Sequence, residues 1–408
     1  MNSNHHRLRA PKVINLALQG GGAHGAYTWG VLDRLLEDER IVIEGISATS
    51  AGAMNAAALA QGLTDGGPEG ARETLEAFWR SVSRAASWSP LQPTWLDRWF
   101  GNWNLDYSPA YLAFDLLTRT FSPNEFNPLD LNPLRDLLVE TIDFPRLRCC
   151  TAVKLFVSAT NVRSGRIKVF KTGEISADVL MASACLPFLH RTVEIGGEPY
   201  WDGGYMGNPA IFPLIYDCAA PDVVIVRINP IRREDLPRTA REILNRVNEI
   251  SFNSSLLREL RAIGFISRLI DQGLIKEGAL KRVLVHGIDA EDYMARLGYS
   301  SKLNPAWDFL LHLRDLGRES ASRWLETSFD RLGVVSSLEC DGTLGREAAL
   351  LSRVTAQAGS RAAPYAGQTQ TSAEPITARS PRGTTHPKSS CLRSARATAS
   401  RPEARGTA

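Results

Sequence analysis

A serine flanked only by small residues, Ala48-Thr49-Ser50-Ala51-Gly52, lies one strand downstream of a glycine run, Gly20-Gly21-Gly22-Ala23-His24-Gly25. The glycine run follows an apolar stretch, Val13 to Leu18, and opens a helix. It therefore presents backbone N–H groups that have no partner within the helix itself. The serine falls where a strand turns into a helix. That is the setting of a nucleophile elbow, in which a sharp turn pushes Oγ outward and bulky neighbours would clash. A nucleophilic serine beside ready backbone donors points to acyl transfer through an oxyanion.

Strand, glycine run and helix also make a dinucleotide-binding fingerprint. That reading needs an Asp or Glu at the carboxyl end of the second strand to hold a ribose. Here the end of that strand carries Thr49-Ser50, and Glu44 sits at its start. The nucleotide reading is the weaker one. A serine needs a base, and the histidines offer little. His5 and His6 lie in the polar lead, His386 in the tail and His24 in the glycine run itself. His190, His286 and His312 lack a strained or glycine-rich setting. Asp202 is the better candidate, in Tyr200-Trp201-Asp202-Gly203-Gly204, because two following glycines let the backbone turn sharply and approach another element. A plain turn capped by the aspartate is its competing reading.

Taken together these three blocks resemble the patatin-like phospholipase family. Two smaller blocks agree with it: Ser158-Ala159-Thr160-Asn161 through Gly165, and Met181 through Pro187. The likeness runs from about Val13 to Leu214 with the blocks in the family's order. It implies a three-layer α/β/α fold, a Ser–Asp dyad without histidine, and hydrolysis of lipid acyl esters. On that likeness Ser50 is the nucleophile, Asp202 the base, and the amides of Gly20, Gly21 and Gly22 the oxyanion donors. Gly25, Ala48, Gly52, Gly203 and Gly204 support the motifs, and neither a metal nor an organic cofactor is implied. The expected partner is a lipid or other acyl ester, with transient contact at a membrane surface and no nucleic acid. A thioester, a storage polyester, or a lipid-binding role without catalysis are the alternatives. The chain departs from the family at Ala48, usually Gly, and at His24, usually Arg or Lys. The second departure removes a fixed positive charge beside the loop. A carboxylate can act as base if it is held near the serine and burial raises its pKa.

To position these residues, apolar strands alternate with helical stretches. Strands are expected near 13–18, 42–48, 154–159, 167–170, 192–195, 223–228 and 283–286. Helices are expected at about 23–37, 51–61, 75–84, 131–141, 177–184, 238–270 and 305–332. That alternation predicts a mostly parallel sheet covered on both faces. The reading divides the chain into a polar lead (1–12), a catalytic domain (13–335) and a basic tail (340–408). From Arg353 onward the net charge is +7, against +3 for the whole chain, which leaves −4 for the remainder. Rich in Ala, Ser, Thr, Arg and Pro, the tail is expected to be disordered. The six cysteines suggest no disulfide framework at this length, and no signal-peptide pattern opens the chain. A cytoplasmic protein with peripheral membrane contact is the expectation. Trp79, Trp88, Trp95, Trp99 and Trp103 fall in one window, read first as packing of a side layer and second as a lipid-facing surface.

Overall fold

The computed structural model describes residues 10–93, 99, 102–106, 108–276 and 278–338. The described residues fall within one compact unit, Met1–Ala349. Most of the expected lead and all of the expected disordered tail lie outside them.

The strands are β1 (Lys12–Leu18), β2 (Ile41–Ala48), β3 (Lys154–Asn161), β4 (Ile167–Lys171), β5 (Val193–Ile195), β6 (Glu198–Asp202), β7 (Asp222–Val226) and β8 (Leu284–Ile288). They form one sheet in the order β5-β6-β3-β2-β1-β7-β8, with β4 also paired to β3. The pairs β3-β2, β2-β1, β1-β7 and β7-β8 are parallel, and the pairs of β3 with β4 and β6 and of β5 with β6 are antiparallel. The strand period of two sorts the apolar residues onto opposite faces. Ile14, Leu16 and Leu18 of β1, with Val224 and Val226 of β7, enter the larger core, while Ala17, Val223 and Ile225 enter the smaller one on the other face. Apolar residues on both faces are what a sheet buried between helical layers requires.

On the larger-core face lie α1 (Gly25–Leu36), α2 (Ala51–Ala85), α3 (Ala177–Ser183) and the apolar side of α5 (Trp307–Ser328). On the other face, Leu214 of the short helix Phe212–Asp217 and Leu256, Leu260 and Ile263 of α4 (Ala240–Asp271) close the smaller core. The three-layer α/β/α arrangement expected from the sequence is present. The two helices expected at 51–61 and 75–84 are arms of α2, which leaves helical geometry at Gly66 and Gly67. Helix α4 starts where Thr239 and Glu242 form a reciprocal capping box, satisfying donors that a helix start leaves open.

The sequence reading does not anticipate β6. Tyr200-Trp201-Asp202 reads there as a loop after a strand, whereas it is the returning arm of a hairpin. Gly196 and Gly197 both have positive φ, 60° and 79°, the conformation that joins two strands most tightly. The helices Pro109–Thr120 and Pro123–Phe126 are also additions to that reading. Leu112 and Leu116 are exposed, which blurs the helical periodicity that would have marked the first of them.

Candidate active site

Strands β1 and β2 run parallel with Leu18 opposite Ala48, so the glycine loop and the serine leave the sheet side by side. The strand order reverses at β1, which has β2 on one side and β7 on the other. In open α/β sheets such a reversal leaves a crevice at the carboxyl ends of the strands.

Ser50 has φ 53° and ψ −124°, an uncommon conformation for a residue with a side chain, costing about 1–3 kcal/mol unless its surroundings hold it. They do hold it. The Thr49 amide donates to Leu18 O at 3.3 Å, the Thr49 hydroxyl to Gly207 O at 2.6 Å, and the Ser50 amide to Ser183 Oγ at 2.9 Å. Ala48 is a fully buried residue of β2. The special dihedral falls on Ser50, so alanine in place of the family's glycine meets no conflict there. Gly52 lies in the first turn of α2 and donates its amide to Thr49 O at 2.9 Å.

Gly20 must be glycine for a steric reason. A Cβ there would lie 2.6 Å from Ser50 Cβ and 2.8 Å from Thr49 O. Its amide is committed, donating to Asn208 Oδ1 at 2.7 Å. Of the three amides expected to face an oxyanion, that of Gly20 therefore anchors the loop. The Gly21 and Gly22 amides have no hydrogen-bond partner among the described residues. Gly22 has φ +58° and opens a short 3-10 turn that leads into α1 at Gly25.

Asp202 arrives from the opposite side of the sheet. Ala159 of β3 pairs with it, and Val157 of β3 pairs with Ala48 of β2, which brings the end of β6 beside the serine turn. The carboxyl is buried at 3% exposure. It accepts the Gly204 amide at 2.7 Å, Gly203-Gly204 form the turn behind it, and it lines one pocket with Ser50. Burial pushes its pKa up to about 7, against the pull of the Gly204 amide, the neighbouring Ser50 hydroxyl and the Lys302 ammonium. At neutral pH it thus hovers between acid and base, the range in which proton transfer in both directions is efficient. Ser50 and Asp202 share a pocket with apolar walls from Leu186, Phe252, Tyr299 and Leu303. A roomier cleft lined by Arg233, Leu236, Arg238, Arg246 and Glu249 shares Tyr299 with it but includes neither Ser50 nor Asp202.

The side chains of His286, His312 and His24 are engaged elsewhere. His286 lies in line between Asp222, 2.9 Å from Nε2, and Ser337 Oγ, 3.0 Å from Nδ1. That trio looks like a triad, yet His286 is fully buried. Asp222 opens β7 at its amino end, whereas Val226 at the carboxyl end pairs with Leu18 beside the glycine loop. His312 bonds the Tyr293 hydroxyl at 2.7 Å and stacks on Trp103. His190 is half-buried, its amide donating to Leu186 O. Replacing His190, His286 or His312 by Gln is expected to lower kcat/KM less than about tenfold in correctly folded protein. A collapse of activity in any of them, with the melting temperature held, would make that histidine the base. His24 is buried and bonds Ser301 Oγ at 2.8 Å. Desolvation, then Lys302 and Arg233, push its pKa well below the usual value, so it carries no charge beside the loop.

Sequence reasoning missed the supports. Ser183 lies within Met181–Pro187 and Asn208 four residues past the Asp202-Gly203-Gly204 turn, and a polar residue among small ones was their signal. Gln19, whose side chain accepts the Ile228 and Asn229 amides at 2.9 and 3.0 Å, had none, and neither had Asn229 or Lys302. Of the tryptophans, Trp79 is buried and donates to Asn55 Oδ1 at 2.9 Å. Trp103 stacks on Phe309, and Trp99 is 81% exposed. Packing holds for the first two; Trp95 lies outside the described residues. No described helix is long and apolar enough to cross a membrane.

Residues 16–215 match the sequence model of a family described as patatin-like phospholipase. A comparison with curated proteins finds no match. Among solved structures the chain is similar to VipD from Legionella pneumophila, at 16% identity and a TM-score of 0.39, covering 86% of this chain and 76% of that one. It is also similar to a chain in the complex of SpcU with ExoU from the type III secretion system of Pseudomonas aeruginosa. There the identity is 15% and the TM-score 0.33, covering 86% of this chain and 61% of that one.

Proposed function

Through residues 16–215 the chain belongs to the patatin-like phospholipase family, and from that premise we propose that it hydrolyses the carboxylic esters of phospholipids through an acyl-enzyme on Ser50. The observation that carries the proposal is that Ser50 and the buried Asp202 carboxyl line one pocket, next to the Gly21 and Gly22 amides, which have no hydrogen-bond partner among the described residues. Asp202 takes the hydroxyl proton as Oγ adds to the ester carbon. The two amides then hold the oxyanion, with the positive end of α2 adding about 0.3–1 kcal/mol. Collapse breaks the ester C–O bond, and Asp202 returns the proton to the departing alcohol. Water, deprotonated by Asp202, then releases the fatty acid and restores Ser50. Lipid therefore enters as substrate, and the apolar walls at Leu186, Phe252 and Leu303 suit an acyl chain better than a small polar ester.

Purified protein should release fatty acid from phosphatidylcholine vesicles and be labelled on Ser50 by a fluorophosphonate. Neither hydrolysis nor labelling would refute the proposal; labelling together with preferential cleavage of thioesters or polyesters would replace the substrate class. The pH dependence follows from Asp202. Only its ionised form accepts a proton, so kcat/KM should climb about tenfold per pH unit below about 7 and stop climbing just above it. A rate independent of pH between 5 and 7 would rule out Asp202 as the base.

A further inference from the structure

The oxyanion loop is tied to a residue far away in sequence. The Asn229 side-chain amide donates to Gly20 O at 2.7 Å. Its Oδ1 accepts the Lys302 ammonium at 2.7 Å. Gly20 O and the Gly21 N–H belong to one peptide unit, so a donor on that oxygen withdraws electron density from that N–H. Hydrogen bonds in such chains strengthen one another in a low-dielectric interior, and a charged donor at the head of the chain enlarges the effect. Asn229 is buried at 3% exposure, and Lys302 lines the same pocket as Ser50 and Asp202.

From this geometry we propose that Lys302 and Asn229 are positioning residues of the oxyanion site, a relay from the ammonium through the carboxamide to the Gly20–Gly21 peptide. The relay rests on the acyl-hydrolase reading above. It places a cation near the loop where His24 is neutral, by a route the glycine motif does not contain. Asn208 holds the amide of Gly20 and Asn229 its carbonyl, so the loop is fixed on both sides. Around Lys302, Glu249 and Asp202 favour its charge, while burial and Arg233 oppose it, and its pKa is lowered to about 8. The Tyr299 ring lies 5.8 Å from its ammonium, and neutral His24 is in the adjoining turn.

The test compares wild type with Lys302→Met, Lys302→Arg and Asn229→Leu on p-nitrophenyl butyrate. An alkyl trifluoromethyl ketone, which makes a tetrahedral oxyanion on Ser50, serves as inhibitor. Lys302→Met and Asn229→Leu should each lower kcat by about tenfold or more, leave KM within about twofold, and raise the inhibitor Ki in parallel with the loss in kcat. Wild-type kcat/KM should fall above pH about 8 as the ammonium loses its proton, and the fall should vanish in both Lys302 variants. Lys302→Arg should keep most of the rate, since its charge persists. The relay is overturned if Lys302→Met keeps full kcat and Ki, or loses activity while retaining the alkaline fall. Should Lys302→Met fail to fold, an alkaline fall unchanged in Lys302→Arg overturns it equally. Fluorophosphonate labelling of wild type separates the two readings: unlabelled protein refutes the acyl hydrolase, whereas labelled protein with unaffected variants refutes the relay alone.

Discussion

Ser50→Ala and Asp202→Asn are each expected to lower turnover on the order of 10⁴-fold or more, and the double variant is expected to lose no more than either alone. Groups that act as one unit behave in this way, because the second has nothing left to do once the first is gone. The two variants separate in stability. Asp202 sits in a site that raises its pKa from 3.8 to about 7. A carboxyl whose folded pKa is raised stabilises the fold fully below the unfolded value, and that contribution is lost as pH rises through the folded value. Across the window from about pH 4 to 7 the native state forfeits on the order of 4 kcal/mol. Asp202→Asn still offers a carbonyl to the Gly204 amide and has no charge to bury. It should therefore melt higher than wild type at pH 8 and lose that advantage at pH 4. Ser50→Ala should show no such crossover. Turnover above about a tenth of wild type in either variant, measured on short-chain esters, would remove that residue from the dyad.

What could be read from the sequence divides along a physical line. Local signals were legible: the apolar run of β1, the glycines after it, the small residues around Ser50, and the glycines after Asp202. Each reports a constraint that a few neighbouring residues must satisfy, and Gly20, Gly21, Gly22, Ser50, Asp202 and Gly204 line one pocket. The supports were not legible, because they depend on chain segments that meet only in the fold. Asn229 follows β7 and Lys302 lies beyond β8, yet they converge on Gly20 because β7 pairs with β1. A buried lysine reads in sequence like any other lysine. The commitment of the Gly20 amide to Asn208 is of the same kind, and it leaves Gly21 and Gly22 as the proposed donors. Strand β6, the returning arm of the β5–β6 hairpin, was hidden for another reason. It is short and partly exposed, so its alternation is too brief to register, and only the Gly196-Gly197 pair marks the turn.

Gly20→Ala carries the second-largest expected effect, because its added methyl would have to occupy space that the nucleophile's own carbon fills. The new Cβ would lie 2.6 Å from Ser50 Cβ and 2.8 Å from Thr49 O, and neither neighbour is the free end of a flexible side chain. Something in the backbone must yield. The serine turn is held by bonds to Leu18, Gly207 and Ser183, so the glycine loop is the side that gives. Its retreat draws the Gly21 and Gly22 amides away from the oxyanion position, and a displacement of about 1 Å suffices to cost roughly 10²-fold. Loss of one oxyanion donor costs about 10²–10³, which brackets the expected fall in kcat at about 10²–10³. The retreat also stretches the bonds to Asn208 and Asn229, so a lower melting temperature should accompany the fall. The dyad itself is untouched, and the base still titrates near 7. The acid limb of the pH profile should therefore keep its midpoint in Gly20→Ala while its plateau drops. A plateau within about threefold of wild type would mean that these amides do not carry the oxyanion. A displaced midpoint would mean that the loop acts on Asp202 instead.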